Sequence, residues 1–349
     1  MFNHLNTIKR VKNPDNRNYK KGLFLNRAER VEPYSKDILK KVFNSEHFLK
    51  LGNYFNTNNI NKKFADHLDI NKKQLLITNG AEEAIRYIFN IILEKNDTIM
   101  FLTPTYGMYY VYTRIYQLQS IILNYDEHFK LNKGTLYANL SKVKVFFLPN
   151  PSHIEDVLDE EEIITICNIL KKNNGYLVVD ETYYGFGCDS MIKLINTIEN
   201  IYIIRSISKT FGLPSVRVGC LISNEKNMNS ISNYRPAYEI SYPSVIITEY
   251  FLDNIDVVNN YILECMEGRN YVITELKKNN IIYNGEKNYL LNIKIDNEDI
   301  CNKICNDLEE NYIYVRNCKK YISITIGPIP YMKKFFNQFI VFYNKYKRT

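Results

Sequence analysis

The sequence predicts an α/β protein, with a mostly parallel sheet carrying helices on both faces and a smaller α+β part beside it. Three observations lead there. Short apolar runs alternate with helix-like stretches from about residue 70 to 225, the rhythm of strands linked by crossover helices. Several of those runs end directly in polar clusters, as strands do where they meet a loop. Towards the carboxyl end the rhythm changes to one long helical stretch, around Tyr250 to Lys278, and then to strand, helix and strand.

Leu76-Ile77-Thr78-Asn79-Gly80-Ala81-Glu82-Glu83-Ala84 reads as a strand, a glycine turn and a helix start with acidic residues in its first turn. Backbone N–H groups at such a helix start point outward and bind phosphate without a basic side chain. Thr98-Ile99-Met100-Phe101-Leu102 is the next strand and passes into Thr103-Pro104-Thr105-Tyr106-Gly107. Phe146-Phe147-Leu148 ends in Pro149-Asn150-Pro151, and Tyr176-Leu177-Val178-Val179 ends in Asp180-Glu181-Thr182-Tyr183. Ile201-Tyr202-Ile203-Ile204 leads into Arg205 and the segment up to Gly219. Ligands of open α/β sheets sit outside the carboxyl ends of the strands, which puts the Asp180 and Arg205 clusters on one rim. The carboxyl part supplies a strand Tyr289 to Ile293, a helix Ile300 to Glu310 and a strand Tyr321 to Ile326.

Arg205-Ser206-Ile207-Ser208-Lys209-Thr210-Phe211-Gly212-Leu213-Pro214-Ser215-Val216-Arg217-Val218-Gly219 says most about chemistry, because it sets one lysine among small hydroxyls with a second cation eight residues on. Lysine amines condense with aldehydes, while Ser206, Ser208 and Arg217 offer hydrogen bonds and charge to a phosphate. A lysine in a loop is ordinarily just solvated. Its place at the end of a buried strand, beside a second strand ending in Asp180, is what sets Lys209 apart.

With these residues the chain resembles the pyridoxal-phosphate (PLP) enzymes of the aspartate aminotransferase fold, fold type I, and among them the histidinol-phosphate aminotransferase branch. The resemblance implies a large domain around a mostly parallel seven-stranded sheet and a smaller α+β domain. An amino-terminal arm over 1–40 would join the small domain, 41–245 would form the large cofactor-binding domain, and 246–349 the connecting helix and small domain. It implies that Lys209 holds the cofactor, that Asp180 pairs with the pyridine nitrogen, and that Tyr183 and Asn150 touch the phenolic oxygen. Gly80, Ala81, Glu82, Ser206, Ser208 and Arg217 would meet the phosphate, and Tyr106 would stack on the ring. Leu51-Gly52-Asn53-Tyr54 stands where the family has Arg-Tyr-Pro, whose tyrosine reaches the phosphate of the opposite subunit, so Tyr54 implies a homodimer. Leu25-Asn26-Arg27-Ala28-Glu29-Arg30-Val31 matches the family's Leu-Asn-x-Asn-Glu-x-Pro and brings Asn26 to the substrate.

Two departures bear on substrate. After Asn150-Pro151 the family usually continues Asn-Asn-Pro-Thr-Gly, whereas this chain has Ser152-His153-Ile154-Glu155-Asp156. At the carboxyl end Val315-Arg316 is present, but Tyr321-Ile322-Ser323-Ile324-Thr325-Ile326-Gly327 puts Ser323 where the branch has a second arginine. That arginine is the usual fork for an α-carboxylate, and serine cannot reproduce a bidentate charged contact. The resemblance implies an aminotransferase acting on a small, phosphorylated amine, amino acid or keto compound, with Arg316 and Ser323 in the substrate pocket. The alternative is a decarboxylase of the phosphoserine or phosphothreonine type, whose substrate carboxylate stands out of the ring plane. A non-catalytic regulator on the same fold would be expected to lose Lys209, Asp180 or Arg217, and all three are present.

Composition sets the remaining bounds. In 349 residues, 45% hydrophobic content is ample for a sizeable core. No run of ~18 apolar residues is present to span a bilayer, and Met1-Phe2-Asn3-His4-Leu5-Asn6 lacks the basic-then-apolar design of a secretory signal, so a cytoplasmic location is expected. Seven cysteines, Cys167, Cys188, Cys220, Cys265, Cys301, Cys305 and Cys318, form no Cys-x-x-Cys pair and no disulfide framework. Cys301 and Cys305 lie four apart without a nearby histidine pair, which favours ordinary thiols over a metal site. The five histidines are scattered, and His128 and His153 are within reach of the site, although lone histidines are more often structural. The net charge of +7 is dispersed, which points away from nucleic acid and membrane partners and mildly towards an anionic small substrate.

Overall fold

The computed structural model describes residues 21–49, 51–126, 128–154, 157–295 and 297–347, together with Leu5 and Ile8. The rest of the amino end through Lys20, and Glu155 and Asp156 of the departing loop, lie outside the described residues. The chain enters through a short strand β1 (Leu23–Phe24) and helices α1 (Lys36–Val42) and α2 (Asn58–Leu68).

A seven-stranded sheet follows. Its strands are β2 (Leu75–Thr78), β3 (Thr98–Thr103), β4 (Gln119–Asn124), β5 (Val145–Pro149), β6 (Tyr176–Asp180), β7 (Ile201–Ser206) and β8 (Gly219–Ile222), in spatial order β2-β8-β7-β6-β5-β3-β4. Only β8 runs against its neighbours, so the sheet is mostly parallel, as the sequence predicts. Its strands are buried on both faces except for the edge strand β4, most of whose residues are exposed. Along β5 the side chains alternate, with Phe146 and Leu148 in one core cluster and Val145 and Phe147 in the other. The helices between the strands are α3 (Gly80–Ile91), α4 (Met108–Ile115), α5 (Lys133–Leu140) and α6 (Glu160–Lys171), with α7 (Glu225–Ser232) after β8. Asp159 caps α6 and forms a reciprocal pair with Glu162, satisfying two of the backbone donors that a helix start leaves open.

The predicted single helix from Tyr250 to Lys278 is two helices in the structure, α8 (Tyr242–Asp253) and α9 (Ile255–Lys278). Asn254 between them leaves helical geometry at φ −124°, ψ 48°. Its side-chain amide donates to the carbonyl of Tyr250 at 2.8 Å, the local competition for backbone groups that makes asparagine a poor interior helix residue.

The remaining elements are β9 (Tyr283–Asn284), β10 (Leu290–Lys294), α10 (Glu298–Glu310), β11 (Ile313–Tyr314), β12 (Arg316–Asn317), β13 (Tyr321–Thr325) and α11 (Ile329–Lys347). An antiparallel sheet in the order β12-β13-β10-β9 packs with them around a second core, to which Leu23 and Leu25 of the amino segment contribute. In this sheet Ser323 is paired on one side with Asn292 and on the other with Arg316. Thr325 ties the amino segment down: its N–H donates to the Leu25 carbonyl at 2.7 Å, and its Oγ1 accepts from Ala28 N–H at 2.9 Å.

Candidate active site

The parallel register places Asp180 at the end of β6 and Ser206 at the end of β7, with Gly219 opposite both Ser206 and Thr78. The ends of β2, β6 and β7 therefore share one rim. Above it lies a cavity of about 190 Å³ lined by Ala81, Glu82, Tyr106, His153, Asp180, Tyr183, Ser206, Ser208, Lys209 and Arg217, among others.

Lys209 is half-buried, and its Nζ donates to the carbonyl of Ala28 at 2.8 Å. Burial pushes its pKa down to about 8; Arg217 adds to this and Glu29 opposes it. A substantial share of this amine is therefore neutral, and so nucleophilic and basic, near physiological pH.

Around the lysine the small hydroxyls converge. Ser206 Oγ donates to Ser208 Oγ at 2.9 Å and accepts from Ser208 N–H at 3.1 Å. Gly80 opens α3 at φ +74°, and a Cβ there would lie 2.6 Å from Arg217 Nη2, so the guanidinium rests directly on the helix start. Gly219 allows an equally close approach, since its Cβ would meet Ala81 N at 2.7 Å. A helix N-terminus, two hydroxyls and an arginine thus face one small volume.

Asp180 is 7% exposed. Tyr109 Oη donates to its Oδ2 at 2.9 Å, and Thr182 N–H donates to its Oδ1 at 3.0 Å, joined there by the Thr182 hydroxyl. Burial pushes this carboxyl up in pKa, and the bonds from Thr182 and Tyr109 oppose that. Tyr183 stands 6.0 Å from Lys209 Nζ, measured to its ring centre, with its hydroxyl 3.4 Å from His153 Nε2. The Tyr106 hydroxyl donates to Glu82 at 3.1 Å, and Tyr112 donates to the other carboxylate oxygen at 2.8 Å. The Glu82 side chain therefore orients two tyrosines, a role its place at a helix start did not suggest.

Other expected residues stand apart. Asn150 is fully buried at the end of β5, with Nδ2 donating to the Leu158 carbonyl at 3.0 Å and Oδ1 accepting from Leu158 N–H at 3.1 Å. Tyr54 is 85% exposed and stacks on Tyr238 at 4.7 Å. Arg316 is exposed on β12, close enough to influence the ionisation of His153 and Tyr183. Ser323 is buried beside it in register, and Asn26 lies in the segment that brings Ala28 to Lys209. His153 reaches the cavity, whereas His128 sits in an exposed turn whose N–H groups bond to Asp126. Tyr109 and Thr182 escape the sequence reading. Thr182 is recoverable as the residue two after Asp180, where a side chain closes a turn on its neighbour; Tyr109 has no mark beyond lying one helical turn past Tyr106.

The sequence matches the family model for aminotransferase class I and II over residues 35–329. The chain belongs to that family. A histidinol-phosphate aminotransferase of Clostridium novyi (strain NT) is 30% identical over 309 residues, covering 84% of each chain. The crystal structure of histidinol-phosphate aminotransferase from Sinorhizobium meliloti in complex with pyridoxal-5'-phosphate superposes with a TM-score of 0.85 at 14% identity, over 99% of this chain and 98% of that one. The L-threonine-O-3-phosphate decarboxylase of Porphyromonas gingivalis shares the fold at a TM-score of 0.75 and 16% identity, over 92% and 99% of the two chains. This class I and II aminotransferase is a PLP-dependent enzyme, and its cavity fits that cofactor: an amine whose pKa is lowered for an aldehyde, a carboxylate for a ring nitrogen, and the Gly80–Arg217 contact with its serines for a phosphate.

Proposed function

We propose that this aminotransferase acts on a small substrate carrying a phosphate, and that it works as a homodimer. The observation that carries the reading is the convergence of Lys209, Asp180 and Arg217 on one cavity while Ser323, uncharged, stands beside Arg316. Bound PLP supplies an electron-withdrawing ring that takes up the charge left at the substrate Cα. With the cofactor bound, Lys209 would be the base that takes up and returns the substrate Cα proton, a task favoured by the burial that lowers the pKa of its amine. Asp180, fixed in place by Tyr109 and Thr182, would keep the ring nitrogen protonated. Ser206, Ser208, Arg217 and the Gly80–Ala81 N–H groups would anchor the cofactor's phosphate, Tyr106 would lie against its ring, and Tyr183 would donate to its phenolic oxygen. Asn150 joins that oxygen only if its amide turns from Leu158. Arg316 receives the acidic group of the substrate, with Asn26 alongside, and exposed Tyr54 reaches the cofactor phosphate of a second subunit.

Decarboxylation is the second reading, and Ser323 is the observation that favours it, since an in-plane carboxylate fork is what that reaction does without. One experiment separates the two. The holo-protein is incubated with a panel of amino acids and phosphorylated amines and followed by mass. Keto product with pyridoxamine phosphate supports transamination, loss of carbon dioxide supports the second reading, and no reaction with any phosphorylated compound removes the proposed substrate class.

A further inference from the structure

The loop that departs from the family puts His153 against Tyr183. Their rings meet edge to face, with centroids 5.3 Å apart and planes at 86°, and Tyr183 Oη lies 3.4 Å from His153 Nε2. Both side chains line the Lys209 cavity. The loop itself is pinned from the second sheet, because Asn292 Nδ2 of β10 donates to the His153 carbonyl at 2.9 Å and Asn288 Nδ2 donates to the carbonyl of Ser152. The imidazole follows β5 and bears on a tyrosine that follows the neighbouring β6, while the second sheet braces the loop that carries it.

The tautomer follows from what surrounds the ring. His153 Nδ1 is buried with no hydrogen-bond partner among the described residues. A proton there would leave an orphaned donor, which folded proteins avoid more strictly than an orphaned acceptor, so the proton belongs on Nε2. Burial, and then the cations Arg316 and Lys209, push the imidazole down to about 3, which keeps it neutral at working pH.

We propose that His153 is a positioning residue for Tyr183: its Nε2–H donates to Tyr183 Oη, fills one lone pair, and turns the phenolic proton towards the place of the cofactor's phenolic oxygen. This rests on the role given to Tyr183 above. The groups facing the pair, Lys209, Asp180 and Arg316, are the same in every variant of the test.

The test is a pH titration of the absorbance of the bound cofactor. A hydrogen bond donated to an oxygen favours its ionised form, so losing it raises the titration midpoint. Tyr183→Phe is expected to raise the midpoint by about one pH unit or more, and His153→Ala by a smaller amount. The double variant is expected to match Tyr183→Phe alone, because His153 acts through the tyrosine. His153→Gln, whose amide nitrogen falls near the Nε2 position, should restore the native midpoint, whereas His153→Asn, reaching only to Nδ1, should not. An unmoved midpoint in His153→Ala, with Tyr183→Phe shifted, overturns the proposal and leaves the role of Tyr183 standing. Additive shifts in the double variant also overturn it. An unmoved midpoint in Tyr183→Phe overturns both.

Discussion

Lys209 differs from the other described lysines in what surrounds its amine. Burial lowers its pKa to about 8, and only the neutral amine attacks an aldehyde. Capture of PLP by the apo-protein should therefore accelerate as pH rises through about 8 and level off above it, which stopped-flow absorbance would show. A rate flat from pH 6 to 9 contradicts the assignment. Lys209→Ala should abolish turnover with the circular dichroism spectrum unchanged, since the side chain contributes chemistry rather than core. Asp180→Asn should lower kcat by about 10²–10³-fold with cofactor retained, because Ser206, Ser208 and Arg217 do not depend on it; a variant with full kcat leaves the ring nitrogen to another partner. Lys209, Asp180, Ser206 and Ser208 are legible in the sequence because each follows or closes a buried apolar strand, and strand ends are where α/β sheets bind. The Ala28 carbonyl that meets Lys209 is not legible, since a backbone contact across the chain leaves no trace in residue type. Tyr109 is hidden for another reason, as one of 29 tyrosines.

Among the elements, β12 and β13 matter most for substrate. Their register sets exposed Arg316 beside buried Ser323, leaving one cation where the family branch has two. A charge-assisted pair is worth roughly 1.5–3 kcal/mol net. Arg316→Ala should then lower kcat/KM for a phosphorylated substrate by about one to two orders of magnitude and hardly affect an uncharged one. Ser323→Arg should improve glutamate as an amino donor. Steady-state kinetics on both variants checks this, and a silent Arg316→Ala contradicts it. Of the main sheet, β2, β3, β5, β6 and β7 follow from apolar runs bounded by polar clusters, whereas β4, with most of its residues exposed, and the short β8 do not stand out as such runs. The break at Asn254 does not, because a lone asparagine inside a helical pattern is tolerated in most contexts; its side chain here bonds the Tyr250 carbonyl.

For the whole molecule, the seven-stranded sheet and the antiparallel sheet meet where Asn288 and Asn292 hold the 152–154 loop and where Ala28 meets Lys209. No helix among the described residues is long and apolar enough to cross a membrane. Exposed Tyr54, stacked on Tyr238, should be covered by a second copy, so sedimentation of active enzyme should give a dimer, and Tyr54→Ala should weaken PLP retention without changing the sedimentation of the apo-protein. An active monomer contradicts this. The central claim is that the pocket selects a phosphorylated amine for transamination, and it is tested most directly by a single-turnover half-reaction of the holo-protein with a phosphorylated amine and with its dephosphorylated counterpart, read by mass. The account predicts that pyridoxamine phosphate and a carbonyl product accumulate with the phosphorylated compound and far more slowly with the other. Equal rates for the two compounds, with Arg316→Ala unchanged, contradict it.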